Sequence, residues 1–430
     1  MIGSRKDMTS WVMHFVHDRN TANDPAYNIN EGEDTPFFPF HEDHASRSRF
    51  EQWEWADDDY CLEPDAEAFS VLLKIISDGH IRSGWSFRND RPTIYGPRSA
   101  CCFTEMPLYG LIEYAKQRSR EYVGAYAIGL LKQEFFAAGG RPVIYGLSGP
   151  HNEISKPLRL PPHYSWPRKL DPSCGIAEQE QYRYVAMNLD PKRPIDWSHE
   201  REWRWADSDD ACSCPGLPVW LKGEPVKFTQ IMIVVPSDRE AHRVLELLKQ
   251  YHDAGAHNCG HEYRHKALLG TRILSLEQLA AIPSTADPTN LRLEDLPSNS
   301  LKSFDQPEAT PELIAAVKSA LAEAHIAAEA AVESFLLTAR YVDGGKFVAD
   351  ACGWADLVIC DSQSPVVSAL IALGETTVIG GIGYRVSDFG RHGRSKDQAL
   401  SVAEAGVTAA SQVMKERFPG VEFDVRTMWD

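Results

Sequence analysis

Apolar and polar positions partly alternate over residues 11–17 (Trp-Val-Met-His-Phe-Val-His), which predicts an opening β-strand. Over residues 66–77 the spacing changes. Phe69, Leu72, Leu73, Ile75 and Ile76 recur at helical intervals, and Asp78-Gly79 supplies a helix stop. A polar, arginine-bearing loop over residues 82–99 then leads into an apolar run at 100–104, expected to be a buried strand. A short helix is expected over 107–117. Further strands are expected at 125–131, 142–145, 200–205 and 226–235, followed by an amphipathic helix over 238–252. Residues 181–189 fit helix or strand equally well. Between residues 147 and 178 prolines and glycines are frequent and periodicity is lost, so a long loop is expected there.

From about residue 254 to 309 the chain is rich in Pro, Ser, Asp and Asn, and after Pro283 it reads as an interdomain linker. Thr310 and Pro311 then have the signature of an N-cap and first helical residue, opening an alanine-rich helix to about residue 339. Strand 357–360, helix 365–373, strand 376–380, helix 396–417 and strand 422–427 follow, a βαβαβ order. These patterns divide the chain into a first domain over residues 1–255, a linker over 256–309 and a second domain over 310–430. The expected fold class is an α+β N-terminal domain with a smaller C-terminal α/β domain.

A length of 430 residues agrees with two cores rather than one. The net charge of −17 argues against tight, sequence-independent binding to a polyanion, because that affinity comes from Lys and Arg displacing counterions. Carboxylates crowd residues 42–67 and read as a solvated acidic loop. Nine cysteines without regular spacing do not form a disulfide framework. No run reaches the roughly 18 apolar residues that span a bilayer. Charges and histidines interrupt the first twenty residues, so no secretory signal is read, and a cytoplasmic protein without membrane contact is expected.

The most informative short segment is His199-Glu200-Arg201-Glu202-Trp203-Arg204-Trp205. On an extended strand Glu200 and Glu202 would share one face. Adjacent carboxylates facing a cleft suit a reaction that develops positive charge, such as loss of nicotinamide from NAD. An edge strand whose charges pair with Arg201 and Arg204 gives the same pattern. His14 or His17 on the first strand could bind a ribose hydroxyl, since imidazole both donates and accepts. Arg88, Arg91 or Arg98 could grip a pyrophosphate bidentately. Thr104, at the end of the 100–104 strand, could support the nicotinamide side.

Two other clusters offer less. His257, Cys259, His261 and His265 lie within nine residues but match no standard zinc spacing, and Cys212-x-Cys214 lacks partners. No metal site is assigned. Residues 380–385 (Gly-Gly-Ile-Gly-Tyr-Arg) follow a strand as a phosphate-binding turn would, yet lack the Lys-Ser/Thr of a P-loop.

The order of a His-bearing first strand, a helix ending in Asp-Gly, Cys-Cys-Phe-Thr-Glu-Met-Pro at 101–107, Gly-Gly-Arg-Pro-Val-Ile-Tyr at 139–145 and Glu-Arg-Glu-Trp-Arg at 200–204 resembles the AbiG-type abortive-phage-infection proteins. The resemblance covers roughly residues 11–235. The layout is also similar to a remote ADP-ribosyltransferase, in which an early His or Arg, a later Ser, Thr or Tyr and a late Glu form the NAD site. The resemblance implies an ADP-ribosyltransferase-like first domain, with Glu202 as catalytic carboxylate, Glu200 as its orienting partner, and His14, Arg98 and Thr104 holding NAD as substrate. It implies a macromolecular acceptor, nucleic acid or protein, and a C-terminal domain that senses a phage-derived trigger or mediates assembly. A non-catalytic nucleotide- or protein-binding adaptor of a defence system is the alternative, and a metal-dependent nuclease ranks third for want of metal carboxylates.

Overall fold

The computed structural model describes residues 9–19, 62–63, 65–88, 91–117, 126–147, 168–192, 194–207, 209, 211–256, 260–283, 291–304, 306–342, 344–345, 347–389 and 399–429. Most of the acidic stretch at 42–67, the loop over 148–167, and His257 and Cys259 therefore lie outside the described residues. The chain forms two units: Met1–Leu245 with Cys259–Leu301, and Glu246–Asn258 with Lys302–Asp430. Among the described residues no helix is long and apolar enough to cross a membrane.

The first unit contains strands β1 (Trp11–Val16), β2 (His80–Arg82), β3 (Phe87–Arg88), β4 (Arg91–Pro92), β5 (Cys101–Glu105), β6 (Tyr126–Leu131), β7 (Arg141–Pro142), β8 (Ile144–Leu147), β9 (Tyr184–Met187), β10 (Glu202–Trp205), β11 (Gly216–Pro218), β12 (Ile231–Val235) and β13 (Thr271–Ser275). Its helices are α1 (Ala68–Asp78), α2 (Leu108–Gln117), α3 (Lys132–Ala137), the first half of α4 (Asp238–Ala254), α5 (His265–Leu269) and α6 (Leu276–Ala280). Seven strands form one mixed sheet in the order β13-β12-β6-β1-β5-β10-β7. Its neighbours are antiparallel except β12 and β13, which run parallel. A parallel pair needs a crossover, and the chain between the two strands supplies one.

Both faces of the central strands are buried. One carries Trp11, Met13, Met232, Val234 and Leu274, covered by Leu108, Leu111 and Ile112 of α2 and Leu279 of α6. The other carries Val12, Ile128 and Ile233, all fully buried, with α1 packed against β1 and β6. Helix α1 ends as its sequence predicts: Gly79 takes a left-handed conformation (φ 71°) and its N–H donates to the Ile76 carbonyl.

The expected linker over 256–309 is corrected. Thr271–Ser275 is a sheet strand, and Leu274, Leu276, Leu279, Leu293 and Leu296 are buried in the first unit's core. Turn-forming residues around these leucines conceal short core segments, because each is too brief to show a period. The boundary expected at residue 255 is displaced as well. The first unit includes Cys259–Leu301, and the latter half of α4, from Glu246, belongs to the second unit. The 142–145 strand divides into β7, on the main sheet, and β8, which pairs in parallel with β9.

The second unit contains α7 (Pro311–Thr338), β14 (Tyr341–Val342), β15 (Phe347–Val348), β16 (Gly353–Ile359), α8 (Pro365–Leu373), β17 (Thr376–Ile379), β18 (Gly383–Val386), α9 (Leu400–Arg417) and β19 (Phe423–Trp429). Thr310 caps α7, its hydroxyl accepting from the Leu313 N–H at 3.2 Å. Ala320, Ala324 and Ala328 allow close packing against α9, where Val407 and Ala410 are buried. The sheet has four strands in the order β17-β18-β16-β19, all antiparallel. The α/β reading of this domain is therefore corrected to α+β. The extra strand β18 lies in the glycine-rich 380–385 segment. Gly381 (φ 79°) and Gly383 (φ 134°) turn the chain back along β17, so those glycines make a hairpin rather than a phosphate loop.

Candidate functional site

Strands β1, β5 and β10 lie side by side and fix which candidate residues can meet. Met13 stands opposite Thr104, and Thr104 opposite Glu202. Directly opposed residues project to the same side of a sheet, so Thr104 and Glu202 share a face. His14 is the next residue after Met13 and therefore projects to the other face. There its ring packs on Phe103 with centroids 5.5 Å apart, and its Nδ1–H donates to the Cys102 carbonyl at 2.9 Å. Desolvation holds its pKa below the ordinary value, and the partly buried ring serves to tie β1 to β5. The expected grouping of His14 with Thr104 and Glu202 is corrected by this two-residue period. His17 lies beyond the end of β1 and is exposed.

Glu200 and Glu202 do not project from one strand as expected. Ser198–Glu200 form a 3₁₀ turn and Arg201 is left-handed (φ 47°, ψ 50°), so β10 begins only at Glu202. The turn is pinned from β5: the Thr104 hydroxyl donates to the Glu200 carbonyl at 2.8 Å. The two glutamates nevertheless both act on Tyr145. Its hydroxyl is raised above the ordinary phenol range chiefly by burial, with the Glu202 and Glu200 charges adding to the rise. That hydroxyl donates to the Trp197 carbonyl at 3.1 Å. The Thr104 and Tyr145 hydroxyls thus hold, at the Glu200 and Trp197 carbonyls, the turn that leads into β10 and Glu202.

The sequence pattern offered Arg204 only as a surface charge partner and gave no role to Cys102 or Tyr145. Arg204 lies two residues after Glu202 on the same face, and its Nε donates to Glu202 Oε1 at 2.7 Å. Only 7% and 12% of the two side chains are exposed. Arg204 Nη1 also donates to the carbonyls of Tyr182 (2.6 Å) and Tyr184 (3.2 Å), which fixes the guanidinium and, through it, the carboxylate. The Cys102 thiol beside them is pushed up to about 12, first by burial, with Arg204 opposing and Glu202 adding to the shift. It stays a thiol at neutral pH and is no nucleophile. Tyr145 was legible as part of a strand, and only its bond to the Trp197 carbonyl gives it a place here.

No known protein family, curated protein or solved structure matches this chain. The site is read from its own geometry.

Arg98 does not face this cluster with a free fork. Its Nε donates to Gln179 Oε1 at 2.7 Å and its Nη1 to the Asp207 carbonyl, so it braces two loops. Glu105 accepts from Trp203 Nε1 at 2.9 Å and Lys132 Nζ at 3.1 Å, on the sheet face opposite Glu202. It ties β5, β10 and α3 together.

Among the described residues no three His, Cys, Asp or Glu side chains are grouped to hold an ion. His265 opens α5 while His261 precedes it in a loop, so the two do not share a helical face. Cys212 and Cys214 are buried.

Proposed function

We propose that the first unit is an ADP-ribosyltransferase-like effector that takes NAD as substrate in bacterial anti-phage defence. The observation that supports this reading is that Glu202, its carboxylate held by Arg204, opens β10 directly after the turn that carries Glu200, which the Thr104 and Tyr145 hydroxyls hold. In this reading the bond between ribose C1′ and nicotinamide breaks and its electron pair leaves with the nicotinamide. Positive charge develops on the ribose ring, and the Glu202 carboxylate stabilises it. Glu200 and Tyr145 orient the incoming nucleophile, which forms the new bond at C1′. The nucleophile is a group on a nucleic acid or protein, or water in plain NAD hydrolysis. Thr104 acts by fixing the Glu200 turn rather than by touching NAD. His14 and Arg98 have no part in it.

The closed Glu202–Arg204 pair favours a second reading, a nucleotide- or protein-binding adaptor without turnover. A carboxylate already bonded to a fixed guanidinium is one answer to burying a charge, with no chemistry required. Labelled NAD incubated with the purified chain, with and without nucleic acid and protein acceptors, separates the two. The effector reading expects release of nicotinamide and a loss of about a hundredfold or more in Glu202→Gln. NAD binding without turnover supports the adaptor. Absence of both binding and turnover rejects both readings for NAD.

A further inference from the structure

Strand β19 (Phe423–Trp429) closes one edge of the second unit's sheet. It pairs with β16 in unbroken register, from Phe423 opposite Ile359 to Trp429 opposite Gly353. No other described strand lies on its outer side. Every second N–H and C=O of such a strand points outward and can template another strand. Edge strands in monomers are commonly kept short, bulged or interrupted by proline. β19 is seven residues long, continuous and without proline, and the charged residues on it, Asp424 and Arg426, are of opposite sign and so do not repel a second copy as a single-sign edge would. Trp429 at its end is 73% exposed, and Trp354 on the neighbouring strand is 43% exposed.

Its charges are self-complementary. Asp424 and Arg426 are two residues apart, hence on one face, and lie 2.9 Å from each other as an exposed ion pair. We propose that β19 pairs antiparallel with β19 of a second copy of this chain, about a two-fold axis through Val425. This makes one continuous sheet from two four-stranded ones.

Outward-pointing backbone groups belong to alternate residues, so the allowed registers differ by shifts of the axis from one residue to the next. Centring on Val425 places Asp424 opposite Arg426 of the second copy, and Arg426 opposite its Asp424. Centring on Asp424 or Arg426 sets like charges face to face, and centring on Phe423 sets Asp424 against Glu422. Opposed like charges are unfavourable, so the charge pattern selects the Val425 axis. The same register brings Trp429 beside Val421 of the second copy and covers part of the exposed ring. The arrangement is isologous and closes at two copies, so it does not propagate into a fibre.

The test is the solution mass of the full chain, by light scattering coupled to size exclusion, against the 48.1 kDa of one copy. A dimer is expected. Asp424→Arg alone places two arginines opposite two arginines, and Arg426→Asp alone places aspartates opposite aspartates. Each should weaken the dimer by roughly tenfold or more. Equimolar mixing of the two single variants should restore a heterodimer, and the double exchange D424R/R426D should restore a homodimer. Far-UV circular dichroism of each variant keeps misfolding separate from dissociation. A monomeric wild-type chain overturns the proposal. So does a dimer whose affinity neither single variant changes, or folded single variants that do not recombine on mixing.

Discussion

At the scale of single residues, sheet parity and burial decide which side chains can work together. His14 and Met13 are neighbours in sequence, yet only Met13 lies on the face of Thr104 and Glu202. Glu200 and Glu202 have the spacing of a same-face pair, but the left-handed Arg201 between them resets the alternation. Glu202 and Arg204 keep the two-residue spacing within β10 and pair, but β10 lies between β5 and β7 and the pair is largely buried rather than on an edge surface. His80 gives a test that does not depend on function. It is 2% exposed, and burial pulls its pKa down from 6.5 to about 4. Below pH 6.5 the unfolded chain takes up a proton that the folded His80 refuses, so stability falls as pH drops from 6.5 toward 4. The shift corresponds to roughly 3 kcal/mol once pH lies below both values. Burial moves His14 in the same direction. In His80→Asn the side-chain amide can still donate to the Asp78 carbonyl, as the ring now does at 3.0 Å. Urea unfolding as a function of pH should show a flatter acid limb in that variant, and an unchanged limb would remove His80 from the acid response.

At the scale of elements, end signals read well where they follow from local chemistry. The Thr310-Pro311 start of α7 and the Asp78-Gly79 end of α1 are where the sequence puts them. Gly79 also shows why the residue type is fixed there. Its φ of 71° is strained for any side chain, and an added Cβ would lie 2.6 Å from Leu221 Cδ2. Gly79→Ala should therefore cost at least about 1 kcal/mol, read as a lower thermal or urea midpoint. A variant as stable as the parent would mean that this loop relaxes freely. Partner-dependent features were not legible in the same way. Ile326 continues the apolar pattern of α7 but is 70% exposed, because Val317, Ala320, Leu321, Ala324 and Ala328 make the buried stripe. A helix in which alanine does most of the packing carries little contrast between its faces, so its sequence does not announce which one is buried.

At the scale of the whole molecule, the two units do not follow simple consecutive blocks of chain. Cys259–Leu301 returns to the first unit after Glu246–Asn258 has been given to the second. A fragment of residues 1–255 lacks β13 and the leucines of α6 and residues 293–296, which cover one face of the main sheet. It should be poorly folded, whereas a fragment of residues 1–301 should retain native packing. Dispersion of backbone amide resonances distinguishes the two. A well-dispersed spectrum from the shorter fragment would show that β13 is dispensable.

The sequence by itself determined the mixed α+β character of the first unit, the existence of two units, and several element ends. Each of these depends on short-range pattern: alternation, helical spacing, a cap or a glycine. Tertiary structure alone decided the antiparallel order of the second sheet, the return of residues 259–301 to the first core, and the membership of the candidate site. Strand order and facing depend on which segments pair across long separations, and periodicity within a segment carries no record of its partner. Thr104 and Glu202 are brought together by such a pairing, and the Thr104 and Tyr145 hydroxyls hold the turn that carries Glu200. His14, which looked equally eligible as a residue type, is kept from them by the thickness of one sheet.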